Sequence, residues 1–154
     1  MTIVLLIVHG LVAVALLGAI THQTLAAWAP SQAPRYSLFA RFRSVSSAAF
    51  ANAIVVLYAL STLLGGILYL DFRVDIRPVL EQAGHWQFLG LFDIKEHFVA
   101  IGLGLLPAYW VCWRRAPATE LALTRKALTL LLAFIVWWSF LIGHVANNIM
   151  GFAA

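Results

Sequence analysis

Ionisable side chains are scarce in this chain: Asp, Glu, Lys and Arg make up 10% of its 154 residues, whereas 63% are hydrophobic. A soluble domain carries about 25% charged residues. With a mean hydropathy of +0.92, the composition excludes an ordinary soluble domain and points to an integral membrane protein. Cysteine is limited to Cys112, which rules out an intramolecular disulfide and any thiolate metal motif. Methionine occurs only at Met1 and Met150, so the soft ligands expected along a copper(I) export path are missing. A glycine-rich phosphate loop, a dinucleotide fingerprint and a nucleophile elbow are missing as well. Ser61 and Thr62 lie inside an apolar run with no histidine and acid placed to activate them, which disfavours hydrolytic chemistry. Without a charged pathway or a pair of broken helices, channel and transporter activity are disfavoured too. Internal repeats, low-complexity tracts and long linkers are absent, so 1–154 reads as a single transmembrane domain.

Long apolar runs are what the sequence does have. Crossing a hydrocarbon core of about 30 Å takes roughly 20 helical residues, and such runs fall at 3–28, 48–70, 93–113 and 127–148. The third has the shortest strictly apolar stretch, so its helix is expected to begin outside the core, near Asp93. No Lys or Arg precedes the first run and no small-residue cleavage site follows it. It is therefore expected to stay as a span and not to act as a secretory signal. The expected fold is all-α, a four-helix bundle in the membrane.

Basic residues set the expected orientation. The segment between the first two runs holds Arg35, Arg41 and Arg43, and the one between the last two holds Arg114, Arg115, Arg125 and Lys126 against the single acid Glu120. Between the second and third runs, Arg73, Arg77 and Lys95 are mixed with Asp71, Asp75, Glu81, Asp93 and Glu96. By the positive-inside rule the first two segments are cytoplasmic, which places both termini on the periplasmic side of a bacterial-type inner membrane. The net charge of +4 then reports topology. Nucleic acid is not an expected partner, because the basic residues sit in short loops beside spans with no binding motif. The outer loop, 71–92, is expected to hold a short interfacial helix starting at Pro78, its tail carrying Trp86 and Phe88 at headgroup depth.

Four of the five histidines fall in or beside spans, where an ionisable residue is expensive and is by default a functional hypothesis. His85 reads as a solvated loop residue. Counting along alternating helices at about 1.5 Å per residue brings His9, His97 and His144 close to the outer boundary on three different spans. His22 lies about 20 Å lower than His9 and about 220° round the helix, and reads as a polar contact in the inner half. Small residues accompany the outer set: Gly10 beside His9, Gly143 beside His144, and Ala100, Gly104 and Ala108 on the stripe of His97. Tyr58, Thr62, Gly65 and Tyr69 follow at helical spacing on the second run, with Tyr69 near the outer level. Small-xxx-small spacing is equally the mark of plain helix packing, and Asn147 and Asn148 before Gly151 suit a helix stop.

Two intramembrane imidazoles on facing helices, with glycines making room, suit a b-type haem with two axial histidines whose propionates need cations near the interface. His97 and His144 are the preferred ligands, with His9 as third wall, proton carrier or alternative ligand. Arg73, Arg77 and Lys95 are the cations on that side, and Tyr69 and Gly104 would line the site. In this reading Lys95 meets a carboxylate, His97 points inward and Glu96 is available to a proton or a cation. In this the chain resembles the four-helix b-type membrane cytochromes, on His9, His97 and His144 with their glycines. The resemblance implies one haem b and an electron-transfer role in a membrane oxidoreductase, with quinone, a periplasmic electron carrier or a larger redox complex as partners beside the lipid. Two-haem members carry paired histidines on each of two helices, and here only His9 and His22 share a span. A rival chemistry is a non-haem site for copper, iron or zinc built from His9, His97, His144 and Glu96. A third reading, from another class, is a cofactor-free accessory subunit that packs against a larger membrane complex, with its histidines and tryptophans at the interface.

Overall fold

The computed structural model describes residues 2–28, 47–115 and 120–152. It is 95% helix, and no strand occurs among the described residues. In chain order the elements are α1 (Thr2–Trp28), α2 (Ser47–Asp71), a π-helical turn (Phe72–Ile76), α3 (Arg77–Gln82), α4 (Trp86–Arg114) and α5 (Ala122–Phe152). Arg35, Arg41 and Arg43, which carry part of the orientation argument, lie outside the described residues.

Three stretches, Ile3–Trp28, Ala48–Gln82 and Ala122–Ala146, are long and apolar enough to cross a membrane. Helix α4 has the length, 29 residues, but does not join them. Asp93, Lys95, Glu96 and His97 enter its first half, and Pro107, Tyr109, Trp110 and Trp113 lower the hydropathy over the rest of its length. Of the four expected spans, 93–113 is thus the one whose composition falls short.

The four long helices alternate in direction. Lys126 sits 5.4 Å over the ring of Trp28, and Trp110 Nε1 donates to Asn52 Oδ1 at 2.9 Å. Those contacts gather the C-terminal ends of α1 and α4 and the N-terminal ends of α2 and α5 at one end, here the basic end. At the other, the capped end, Phe72, Leu80, Phe88, Leu89 and Phe92 form one cluster with Ile142 and Ala146 of α5. Each long helix packs against two neighbours, in the cyclic order α1, α2, α4, α5 and back to α1. Leu16, Ile20, Ile54, Tyr58, Leu106, Tyr109, Leu132 and Ile135 fill the centre. In the most apolar windows of α1 and α2 only 11% of the residues are buried, so most of their apolar surface faces outward, as contact with lipid requires.

Two boundaries differ from the sequence expectation. The short helix expected at Pro78 is present as α3, but the residues before it are not loop: α2 runs without a break through the π turn into α3. Winding five residues as a π turn aims Phe72 inward, where it stacks on Phe92 at 4.2 Å. The one break is at Gly84, with φ +79°. Gly84 N–H donates to the Glu81 carbonyl and His85 N–H to the Leu80 carbonyl, the paired closure that ends a helix on a left-handed glycine. Helix α4 therefore starts at Trp86, well before Asp93. Helix α5 runs on to Phe152, so Asn147 and Asn148 do not stop it.

Candidate functional site at the capped end

The arc of α4 that faces the other helices is taken by Phe92, Gly102, Leu106 and Tyr109, all buried. At 100° per residue His97 falls on the opposite side, and it is exposed. This corrects the expectation that His97 points inward. Its Nδ1 lies 2.7 Å from the Asp93 carbonyl one turn back, which leaves Nε2 facing away from the helix. Ala100, Gly104 and Ala108 share that exposed face, and a Cβ added at Gly104 would meet open space.

His144 is also exposed, its ring parallel to that of Phe140 at 6.4 Å. His9 is half-buried and sits against α2, its Cε1 3.3 Å from where a Gly65 Cβ would lie. Its Nδ1 is buried without a hydrogen-bond partner. Trp113 Nε1 donates to Thr129 Oγ1 at 3.0 Å, which pairs the heights of α4 and α5. Counted from that bond, His97 and His144 stand at nearly the same level, and the hydrogen bond from Tyr109 to Gln23, which joins α4 to α1, puts His9 roughly 3 Å nearer the capped end. The three histidines are thus close in height but on different faces. Among the described residues no group of three or more His, Cys, Asp or Glu side chains could hold a metal ion, so His9, His97, His144 and Glu96 do not make one donor set.

Two of the three cations expected at haem propionates, Arg77 and Lys95, are engaged elsewhere. Arg77 forks onto Asp93 at 2.9 and 3.2 Å and reaches Glu81 at 3.0 Å. Lys95 does meet a carboxylate, that of Glu96 at 2.7 Å, and lies 4.1 Å over the Phe92 ring. Arg73 is exposed in the π turn, and Tyr69 packs beside Phe72 and Phe92 at 6.1 and 6.4 Å. These contacts tie α2, α3 and the start of α4 into one cap. The glycines do not line a shared slot either. Gly65 receives the His9 ring, and Gly102 receives the Tyr58 ring, whose hydroxyl donates to the Val99 carbonyl at 3.0 Å. A macrocycle finds no space in the interior at these glycines, so the residues present do not fit a haem enclosed within this chain.

The polar residues that are fully enclosed lie toward the basic end. Gln23 and Thr129 are buried, as is Tyr109, whose hydroxyl donates to Gln23 Oε1. Thr129 donates onward to the Arg125 carbonyl, and Arg125 Nε to the Cys112 carbonyl, each at 2.7 Å. These bonds link α1 to α4 and α4 to α5. Gln23 directly follows His22, so the signal was available as a polar pair inside an apolar run. His22 itself is half-buried and stacks on Phe50 at 4.6 Å, and His85 is exposed at the start of α4.

Comparison with known proteins returns no matching family, curated relative or solved structure. The functional reading therefore rests on geometry and chemistry.

Proposed function

We propose that the chain is a four-span integral membrane protein with both termini on the periplasmic side, and that it serves as an accessory subunit packed through the outward face of α4 against a larger membrane complex. The observation that carries this reading is the composition of that face. Lipid-facing surfaces elsewhere carry large apolar chains, such as Val14 and Leu11 on α1 or Leu63 and Ile67 on α2. The outward stripe of α4 also carries Val111, with Ile101 at its edge, but differs in presenting three small residues in register, Ala100, Gly104 and Ala108, beneath an imidazole. Small residues let a second helix approach closely, and an imidazole at the edge of the core is better placed against protein than against acyl chains. The proposed orientation is supported by Arg114, Arg115, Arg125 and Lys126 at the basic end, where Trp28, Trp110 and Trp113 suit an interface.

A b-type haem remains a second reading only as a site shared with a partner subunit, favoured by the His97 Nδ1 contact with the Asp93 carbonyl. Bonding one ring nitrogen to a backbone carbonyl is how a ligating histidine is commonly oriented. A bound haem would supply one-electron chemistry; His97 would contribute one imidazole from the exposed face.

Native gels of mildly solubilised membranes test both readings. The chain is expected to migrate in an assembly well above its own 17.0 kDa. Gly104→Leu is expected to weaken that assembly on the order of tenfold, the effect of about 1.4 kcal/mol of steric misfit. His97→Ala, which removes bulk without blocking approach, is expected to leave most of it intact. A wild-type chain that migrates alone contradicts the subunit reading. Loss of a reduced-minus-oxidised haem b band on His97→Ala would favour the shared-haem reading.

A further inference from the structure

Away from the histidines, α1 and α5 enclose a groove of about 330 Å³ that opens toward the surface and is almost wholly apolar. Leu25, Leu130, Ala133 and Phe134 line it, together with Trp137, whose Nε1 donates to Thr21 Oγ1 at 3.0 Å. The lining spans about 10 Å along α5. One helical turn below it, toward the basic end, Lys126 holds its ammonium over the Trp28 ring. Lys126 forms no ion pair among the described residues; its neighbour Arg125 adds positive charge, and the acid nearest in sequence is the exposed Glu120. An apolar groove on the outer surface of α1 and α5 and a cation one helical turn beyond its basic end match the two halves of one molecule.

We propose that this groove holds an acyl chain of an anionic phospholipid whose phosphate rests on Lys126. Basic sites between transmembrane helices at the interface bind such headgroups. A neutral quinone fits less well, because it makes no use of the Lys126 charge and Thr24 already donates its hydroxyl hydrogen to the Ile20 carbonyl at 2.7 Å, which leaves Thr21, the acceptor from Trp137, as the one threonine hydroxyl of the lining with a hydrogen to offer. The inference shares the membrane setting with the proposed function but not its partner subunit, so either can fail alone.

The test is native mass spectrometry of the purified full chain in a non-ionic detergent, titrated with phosphatidylglycerol or with phosphatidylcholine of identical acyl chains. Phosphatidylglycerol is expected to be retained about fivefold more tightly, the contribution of one cation near a membrane surface. Lys126→Gln is expected to abolish the preference, and Lys126→Arg to keep it. Lys126 is half-buried at the rim, so its replacement should leave the fold intact, which circular dichroism checks. Ala133→Phe, which fills the groove, is expected to weaken both lipids. Equal retention of the two lipids by the wild type overturns the proposal, as does a preference that survives Lys126→Gln. A dimer lost on Ala133→Phe, in place of a lipid adduct, would assign the groove to a second copy and equally overturn it.

Discussion

Tyr109→Ala is expected to destabilise the fold by about 3–5 kcal/mol, in the range seen when a buried aromatic is truncated. Tyr109 is wholly enclosed between α1, α4 and α5, touching the central cluster with its ring and Gln23 with its hydroxyl. Truncation removes both contacts at once. Tyr109→Phe separates them: it keeps the ring and removes the bond between α1 and α4. Interhelical hydrogen bonds in membranes contribute about 0.6 to 2 kcal/mol, so Phe should cost that much and clearly less than Ala. Denaturant titration of the purified protein in micelles, followed by helical circular dichroism, measures both. An Ala variant within about 0.5 kcal/mol of wild type would mean that Tyr109 is not where the helices are held together.

Gly102→Leu is expected to separate α2 from α4. Even a methyl group at Gly102 would overlap the Tyr58 hydroxyl and ring, and Tyr58 is 2% exposed with its hydroxyl bonded to Val99. The ring cannot step aside without losing that bond. Overpacking of this kind costs about 1–3 kcal/mol, occasionally more, and Leu should lie at the upper end. Shortening the obstructing ring should relieve it, so Tyr58→Ala combined with Gly102→Leu is expected to be less damaging than the two single effects added. The interaction energy from that double-mutant cycle is the quantity to measure. Gly104→Ala, two residues away on the exposed face, is expected to stay within about 0.5 kcal/mol of wild type. If the two glycines behave alike, the assignment of inner and outer faces on α4 is wrong.

That assignment is the part the sequence conveyed least well. Composition and run length point to helices of membrane-spanning length, because both depend only on how much apolar chain is present. Position along an axis is similarly accessible, since each residue adds about 1.5 Å, and the Trp113–Thr129 bond places His97 and His144 at nearly one height. Rotation about the axis is different. A helix that is apolar nearly all round carries no polarity contrast to mark its inner face, so helical spacing groups Ala100, Gly104 and Ala108 on one stripe without saying which way that stripe faces. What faces inward on α4 is decided by Phe92 meeting Phe72, Gly102 meeting Tyr58 and Tyr109 meeting Gln23, all long-range contacts. Within 71–92 the helix starting near Pro78 is legible in the sequence, but the helical turn before it is hidden for a related reason. Alternating charge from Asp71 to Arg77 reads as a loop, yet Arg77 finds Asp93 sixteen residues later, and that bidentate pair holds the π turn and α3 against α4.

The central claim, that protein and not lipid covers the outward face of α4, is tested most directly by a photo-crosslinking residue at position 104 in intact native membranes, with position 67 on α2 as the lipid-facing reference. The expected result is a discrete protein adduct at 104 and only lipid adducts at 67. Lipid adducts alone at both positions would contradict the claim and leave a protein whose four long helices all face the bilayer.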